Sequence, residues 1–425
     1  MRSNKTTNLA KQVKYFLLFL VFESGFCVTL FSQTTPVFQL VESVPVETTL
    51  GVSETARTRQ MWLEMFRSAR QSIDMEIFYL SHKKGEALQP VIDELMAAAK
   101  RGVKIRIIAD AKMAKTYPET LERLNSLPNI TVRRTDYFNR LGGVLHAKYF
   151  MVDGKELFLG SQNMDWRALT QIHELGARVR SPKLARLFGA IFRQDWKIAG
   201  DDNDQPVMVE MEFPPEVMIN ASNPLTFPGV SGDTLLLYPS FSPEILLPPV
   251  LCWDETELVK LINRAKKSIE IQLLSYKPVS RGKYYPVLED ALRRAAARGV
   301  RVHLIVSNWN TRQPGIQYLR SLQALPNVEV RISSIPQWSG GHIPFARVEH
   351  CKFMAVDNEW VWLGTANWAY SYFYTSRNVS LIIHSAAINQ MVRKIFFKSW
   401  NSTYCKTLDL VKKYIPPDVA GRVGK

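Results

Sequence analysis

The sequence predicts an α/β fold of two similar lobes related by a pseudo-twofold axis, with one functional site at the lobe interface. Three observations predict it. The stretch 146–163, HAKYFMVDGKELFLGSQN, returns at 350–367 as HCKFMAVDNEWVWLGTAN, and both read H-x-K, four residues, D, six residues, G-[ST]-x-N. Longer segments repeat around it: RSARQSIDMEIFYL (67–80) matches NRAKKSIEIQLLSY (263–276), AAAKRGVKIRIIAD (97–110) matches AAARGVRVHLIVSN (295–308), and LNSLPNITVRR (124–134) matches LQALPNVEVRI (321–331). These pairs lie 196 to 198 residues apart and the motifs 204 apart, so a whole domain is repeated. Within each copy apolar strand patterns alternate with helical ones, as in a lobe with a mainly parallel sheet.

Each copy reads in the same order. Helices are expected at about 54–70 and 254–267, strands at 73–79 and 269–275, and helices again at 86–101 and 284–298. Gly102 and Gly299 stop those second helices just before a β-branched strand (103–109 and 300–306), as a C-cap glycine does. A third helix (118–127, 315–325) and strand (130–134, 328–332) follow, then the motif hairpin and a closing helix. In the hairpin, HAKYFMV and HCKFMAV are aromatic and β-branched, so each is a strand. Period-two alternation puts His146 and Lys148 on one face and Ala147 on the other. Asp153-Gly154 is a turn signal, after which ELFLGSQN returns as a second strand carrying Ser161 and Asn163. His350, Lys352, Asp357, Thr365 and Asn367 occupy the same places in the second copy.

The ends and the middle differ from the repeat. Residues 1–14 are basic and polar, 15–22 (YFLLFLVF) is an apolar run, and Glu23 follows, so 1–34 is laid out as a signal peptide or an uncleaved signal anchor. Either way the body is expected outside the cytoplasm: secreted, luminal or membrane-anchored, with membrane association through this segment as one alternative. Lobes are expected at 35–200 and 251–405, with a proline-rich linker at 201–250 and a fraying tail at 406–425.

Composition supports real cores: 46% of the 425 residues are hydrophobic. The net charge is +15, of which the first 23 residues hold +3, leaving +12 on the rest. A basic body suits an anionic partner, nucleic acid or acidic lipid. Of the four cysteines, Cys27 lies in the targeting segment and Cys351 sits between His350 and Lys352, facing away from them as a core thiol. Cys252 and Cys405 are candidates for a disulfide in an oxidising compartment. No Cys/His spacing matches a zinc site.

The motif residues suggest phosphate chemistry. Each hairpin offers an imidazole, an ammonium and a carboxamide, donors that bind a tetrahedral anion without a metal or other cofactor. Two imidazoles at one phosphorus can serve as nucleophile and as proton donor to the leaving oxygen. Asp153 and Asp357 are either turn formers or members of the catalytic set that hold a neighbouring cation or strand. Phe78 and Tyr79 end the first core strand, and Trp368, Tyr370, Tyr372, Phe373 and Tyr374 follow the second motif. Such aromatics stack nucleobases or fill core, and Phe78, Tyr79 and Trp368 are the substrate-binding candidates.

The doubled H-x-K-x4-D motif resembles the phospholipase D superfamily. QLVESVP (39–45), GSQNMDWRALTQIHELG (160–176), IPFARVEHCKF (343–353) and GTANWAYSYFYTS (364–376) are similar to its lysosomal phospholipase-D-like 5′ exonuclease branch, over about residues 37–400. The resemblance implies a phosphodiesterase in which one motif histidine becomes a phosphohistidine and the other is the general acid. His146 is assigned as nucleophile and His350 as acid, the order left open, with Lys148, Lys352, Asn163 and Asn367 on the phosphoryl oxygens and Ser161 and Thr365 as lesser candidates. Glu174 matches a family glutamate eleven residues after Asn163, whereas the second copy has Asn378 there, which puts a carboxylate-to-histidine role in doubt. The substrate implied is single-stranded nucleic acid taken from its 5′ end. A phospholipid, cleaved or transferred to an alcohol, is the alternative. An inactive module that binds nucleic acid or membrane is a third reading, against which the intact His and Lys of both copies count.

Overall fold

Each half of the chain builds one mixed sheet, and the strand order is the same in both. The computed structural model describes residues 36–200, 218–229, 232–280 and 282–421. The first sheet holds β1 (Phe38–Ser43), β2 (Ser72–Ile77), β3 (Lys104–Asp110), β4 (Ile130–Thr135), β5 (Tyr149–Val152), β6 (Glu156–Gly160) and β7 (Glu174–Arg180). Across the sheet they run β1-β7-β6-β5-β2-β3-β4. The second sheet holds β8 (Thr234–Ser242), β9 (Ser268–Leu273), β10 (Arg301–Ser307), β11 (Val328–Ser333), β12 (Lys352–Val356), β13 (Trp360–Gly364), β14 (Asn378–His384) and β15 (Cys405–Thr407). Its order is β8-β14-β13-β12-β9-β10-β11-β15.

The sheets are less parallel than the sequence suggests. Among the long strands β2-β3-β4 and β9-β10-β11 are parallel, joined by helical crossovers, and two-residue segments at 56–57 and 252–253 add short parallel pairings at the edges of β1 and β8. The motif hairpins and the strands beside them pair antiparallel.

Helices α1 (Thr58–Ser68), α2 (Gln89–Lys100), α3 (Glu119–Asn125) and α4 (Pro182–Ile198) belong to the first half. Helices α5 (Asp254–Arg264), α6 (Val287–Ala297), α7 (Gly315–Gln323) and α8 (Ala386–Trp400) answer them in the second. Met61, Trp62, Met65 and Phe66 form the buried stripe of α1, and Trp62 meets Phe150 and Phe158 edge-on at 6.2 and 5.5 Å. Gly102 and Gly299 take the left-handed conformations (φ 93° and 86°) expected where α2 and α6 stop. The closing helices start alike: Ser181 and Ser385 accept the N–H of Leu184 and Ile388 at 3.2 and 3.4 Å. Phe188 and Ile191 of α4 and Ile395 and Phe396 of α8 lie in one hydrophobic core that runs through both halves.

The halves are stitched at the backbone. Isolated parallel bridges join Leu145 to Arg377 and His173 to Glu349, each pair 204 residues from the other. The His146 N–H donates to Arg377 O at 3.0 Å and the His350 N–H to His173 O at 2.9 Å.

Three expectations about the connections need correction. The part of the linker within 218–250 contains β8, which pairs with β14 as β1 pairs with β7. Pro239 hid this strand, since a proline usually argues against a sheet interior. It is tolerated because the outer neighbours of β8 are two short segments, one opposite 234–237 and one opposite 240–241, so Pro239 falls in the gap. The tail does not fray over its described length: β15 pairs with β11, Leu408 is buried, and Val419 O accepts the Phe345 N–H at 2.8 Å. Cys252 and Cys405 are free thiols at opposite edges of the second sheet and cannot pair. The 1–34 targeting segment lies outside the described residues, among which no helix is long and apolar enough to cross a membrane.

Candidate active site

The strand ends bring the two motifs together at the seam. His146 and Lys148 stand just before β5, Ser161 and Asn163 just after β6, and Glu174 opens β7. His350 stands before β12, Lys352 opens it, Thr365 and Asn367 follow β13, and Asn378 opens β14. The strand expected from residue 146 therefore starts at Tyr149, and the one expected to carry Asn163 ends at Gly160. Placing the functional groups beyond strand ends leaves them free of the ladder.

Each motif histidine is held by the other half. His146 Nδ1 is 3.1 Å from Asn378 Oδ1, and His350 Nδ1 is 2.6 Å from Glu174 Oε2. Asn378 thus takes the orienting place that the sequence left in doubt. Its amide cannot be turned round, since Nδ2 donates to Tyr372 O at 2.7 Å and Oδ1 accepts from Thr365 Oγ1 at 3.0 Å. An amide oxygen only accepts, so His146 carries its proton on Nδ1 and leaves the Nε2 lone pair free. Burial, with Lys148 and Lys352 nearby, holds His146 well below the usual imidazole range and so neutral.

The second pair differs. Burial pushes Glu174 well above the carboxylate range, while burial, Lys352 and Lys148 pull His350 well below the imidazole range. The two groups face each other along Nδ1–Oε2, where a carboxyl can hold or release a proton as an amide cannot.

Lys148 and Lys352 are 3% and 0% exposed. Lys148 Nζ donates to His146 O at 2.7 Å, and Lys352 Nζ donates to His350 O. Burial and Lys352 lower Lys148 well below its ordinary value, and burial brings Lys352 down to about 8. Two close buried ammonium groups are costly alone and favour an anion between them. Asn163 and Asn367 are also buried, and the Asn163 amide oxygen has no partner among the described residues.

The remaining candidates divide. Phe78 belongs to the site, its ring 5.1 Å from the His146 ring and 5.1 Å from Lys148 Nζ. Tyr372 also packs edge-on against His146 at 4.9 Å, a contact the sequence pointed to only as one of an aromatic run. Tyr79 is tied up, donating to Asp165 and stacked on Tyr117. Trp368, 1% exposed, packs with Trp362 and Tyr276 as core and not as a substrate platform. Ser161 and Thr365 sit at the site but serve its frame: their hydroxyls accept the N–H of Leu175 and Val379 at 3.0 and 3.1 Å.

Asp153 and Asp357 do not belong to the catalytic set. Both follow the far ends of β5 and β12 with φ 52°, roughly 20 Å from the motif histidines at strand rise. The Asp153 carboxylate accepts the N–H groups of Arg70, Gln71 and Ser72, and Asp357 those of Lys266, Lys267 and Ser268, at 2.7–3.3 Å. They are turn formers that lock the α1–β2 and α5–β9 corners. Sequence reasoning also passed over His173, Glu349 and Glu42, buried beside the site, although two of them directly precede motif residues. His173, Glu349 and Cys351 bring metal-ligand atoms together, but the His173 nitrogens bond Glu42 and Glu349, and burial pushes the Cys351 thiol well up.

Comparison with known proteins agrees with this arrangement. The family model described as "Cardiolipin synthase, PLD-like domain" matches residues 62–196 and again 258–400. The chain is 31% identical over 407 residues to the 5′-3′ exonuclease PLD4 of Mus musculus, covering 87% of this chain and 79% of that one. It is 30% identical over 390 residues to phospholipase D Z of Dictyostelium discoideum, covering 86% and 89%. The fold is similar to that of phosphatidylserine synthase from Haemophilus influenzae Rd KW20, with a TM-score of 0.58 at 14% identity over 82% of this chain and 85% of the other. Two matched domains that each give one H-x-K hairpin to a shared seam make this chain a member of the phospholipase-D-like family.

Proposed function

We propose that the chain is a metal-independent phosphodiesterase working through a phosphohistidine, with His146 as nucleophile and His350 as general acid. The observation that carries the assignment is the unequal support of the two imidazoles, an amide for His146 and a carboxyl for His350. His146 Nε2 attacks phosphorus and forms a P–N bond. The bond to the leaving oxygen breaks as His350 Nε2 gives that oxygen its proton. In the second step His350 takes a proton from water, the new oxygen bonds to phosphorus, and the P–N bond breaks to return neutral His146. Lys148, Lys352, Asn163 and Asn367 hold the non-bridging oxygens, supplying the positive charge a metal would otherwise bring.

The proposed substrate is single-stranded nucleic acid trimmed from a 5′-hydroxyl end. A +12 body attracts a polyanion, relatives named 5′-3′ exonuclease are about 30% identical, and Phe78 and Tyr372 flank His146 where a base can stack. The second reading, a phospholipid, rests on relatives named phospholipase D. The test gives the full chain labelled single-stranded DNA or phosphatidylcholine, both in EDTA. Shortening from the 5′ end, slowed by salt and blocked by a 5′ phosphate, is expected. Choline release with intact DNA would replace the nucleic-acid reading with the lipid one, and loss of activity in EDTA restored by a divalent ion would end the metal-free mechanism.

A further inference from the structure

Behind the His350–Glu174 pair lies a second chain of hydrogen bonds. His173 Nε2 is 3.0 Å from Glu42 Oε1, and His173 Nδ1 is 2.7 Å from Glu349 Oε2. All three side chains are fully buried. Glu42 comes from β1, His173 immediately precedes Glu174, and Glu349 immediately precedes His350. The chain thus crosses the seam beside the catalytic pair and runs through the backbone bridge that unites their strands.

The other half fills the matching place with different residues. Arg377, which precedes Asn378, is fully buried and makes a two-pronged ion pair with Asp195 at 2.6 and 2.7 Å, and Glu76 adjoins both. Each histidine seam is therefore backed by a buried basic side chain held by at least one buried acid from the strands or helices behind it. Fully buried charge without such pairing costs several kcal/mol, so the arrangement is held only where partners meet it accurately.

We propose that Glu42, His173 and Glu349 are positioning residues for the reaction, fixing the His350–Glu174 hydrogen bond across the seam so that His350 can protonate the leaving oxygen. This rests on the phosphodiesterase reading above. Both His173 ring nitrogens face a carboxylate, and although burial lowers its pKa, Glu349 helps to hold it well above its ordinary value. Glu42 and Glu349 are lowered despite burial, with His173 as the opposing cause. The other groups facing the triad are Thr55 and Arg57, both on Glu42 Oε2, Gln272 from β9, and Ser399 from α8, which Gln272 bonds. Glu349 also opposes ionisation of Glu174 and favours the charged form of Lys352, so its charge reaches the site electrostatically as well as through the chain.

The experiment compares leaving groups. An oligonucleotide 5′ oxygen needs the proton from His350, whereas 4-nitrophenolate departs without one. His173→Gln is assayed on a 5′-hydroxyl oligonucleotide and on thymidine 3′-(4-nitrophenyl phosphate), with thermal unfolding measured alongside. Single-turnover rates isolate the first step: the expected result is a fall of about tenfold or more in oligonucleotide cleavage and less than about threefold in the burst of nitrophenolate release, with substrate affinity little changed. Equal losses on both substrates, losses that follow the folded fraction, or no loss overturn the proposal. Should His173→Gln not fold, Glu349→Gln carries the same comparison and the same two outcomes. Wild-type enzyme that cleaves neither substrate instead defeats the phosphodiesterase reading, and the triad's role with it.

Discussion

Asn378 stands to His146 as Glu174 stands to His350: each opens the last strand of its own half's repeat and bonds Nδ1 of the opposite half's histidine, at 3.1 and 2.6 Å. The positions are equivalent and the chemistry is not. One partner is an amide that only accepts on its oxygen, while the other is an ionisable carboxyl.

This asymmetry separates nucleophile from acid in a burst experiment. With thymidine 3′-(4-nitrophenyl phosphate), His350→Ala should release one equivalent of nitrophenol quickly and then stall as a phosphoenzyme. His146→Ala should give no burst. Turnover on oligonucleotides should drop by about three orders of magnitude or more in both variants. A burst from His146→Ala would reverse the assignment.

Making the halves alike should harm the enzyme. Asn378→Asp puts a carboxylate beside His146, favours the imidazolium and removes the free lone pair. A kcat/KM that is depressed at neutral pH and partly recovers in alkali is expected, because the nucleophile then needs deprotonation. An unchanged pH profile would mean that the amide does not set the state of His146.

Lys352 sets an alkaline limit. Its pKa is lowered to about 8, so kcat/KM should fall as pH rises through that value and the ammonium is lost. Lys352→Arg should abolish this limb even if its absolute rate is poor. A limb that persists in the arginine variant belongs to another group.

The buried triad should show in stability. His173 is raised above 6.5, so its contribution is complete below 6.5 and disappears as pH climbs through the folded value. Glu42 and Glu349 are lowered below 4.5, so theirs is complete above 4.5 and disappears as pH falls through their folded values. The Tm gap between wild type and His173→Gln should therefore be widest between pH 4.5 and 6.5 and narrow on both sides. A gap independent of pH would mean the imidazole contributes only packing.

Asp153→Ala tests the corner role. It leaves three backbone N–H groups without their acceptor and should cost about 1–2 kcal/mol in urea unfolding. Turnover per folded molecule should stay within about twofold of wild type. A large catalytic loss at full stability would return Asp153 to the catalytic set.

Most of the site was readable because its residues fall in a repeated spacing, which fixes identity and face together. His146, Lys148, Asn163 and their counterparts needed only that. Asn378 was harder: an asparagine where a glutamate is expected looks like a loss, and only the Thr365 and Tyr372 bonds reveal it as a fixed acceptor. Asp153 misled because its place in the motif is constant while its bonds point away from the chemistry. The Glu42–His173–Glu349 chain had no spacing to announce it, since its members are 131 and 176 residues apart and meet only through β1 and the seam. β8 was concealed by Pro239, whose cost depends on sheet neighbours that composition does not encode.

The cross-seam bonds also bear on why two halves share a single polypeptide. Each histidine draws its partner from the opposite half, so a homodimer of first halves would give both imidazoles a glutamate, and one of second halves would give both an asparagine. Identical subunits are bound to supply two identical bases. Tandem fusion lifts that constraint, letting one copy drift toward attack and the other toward proton delivery, a division of labour that a symmetric assembly cannot inherit.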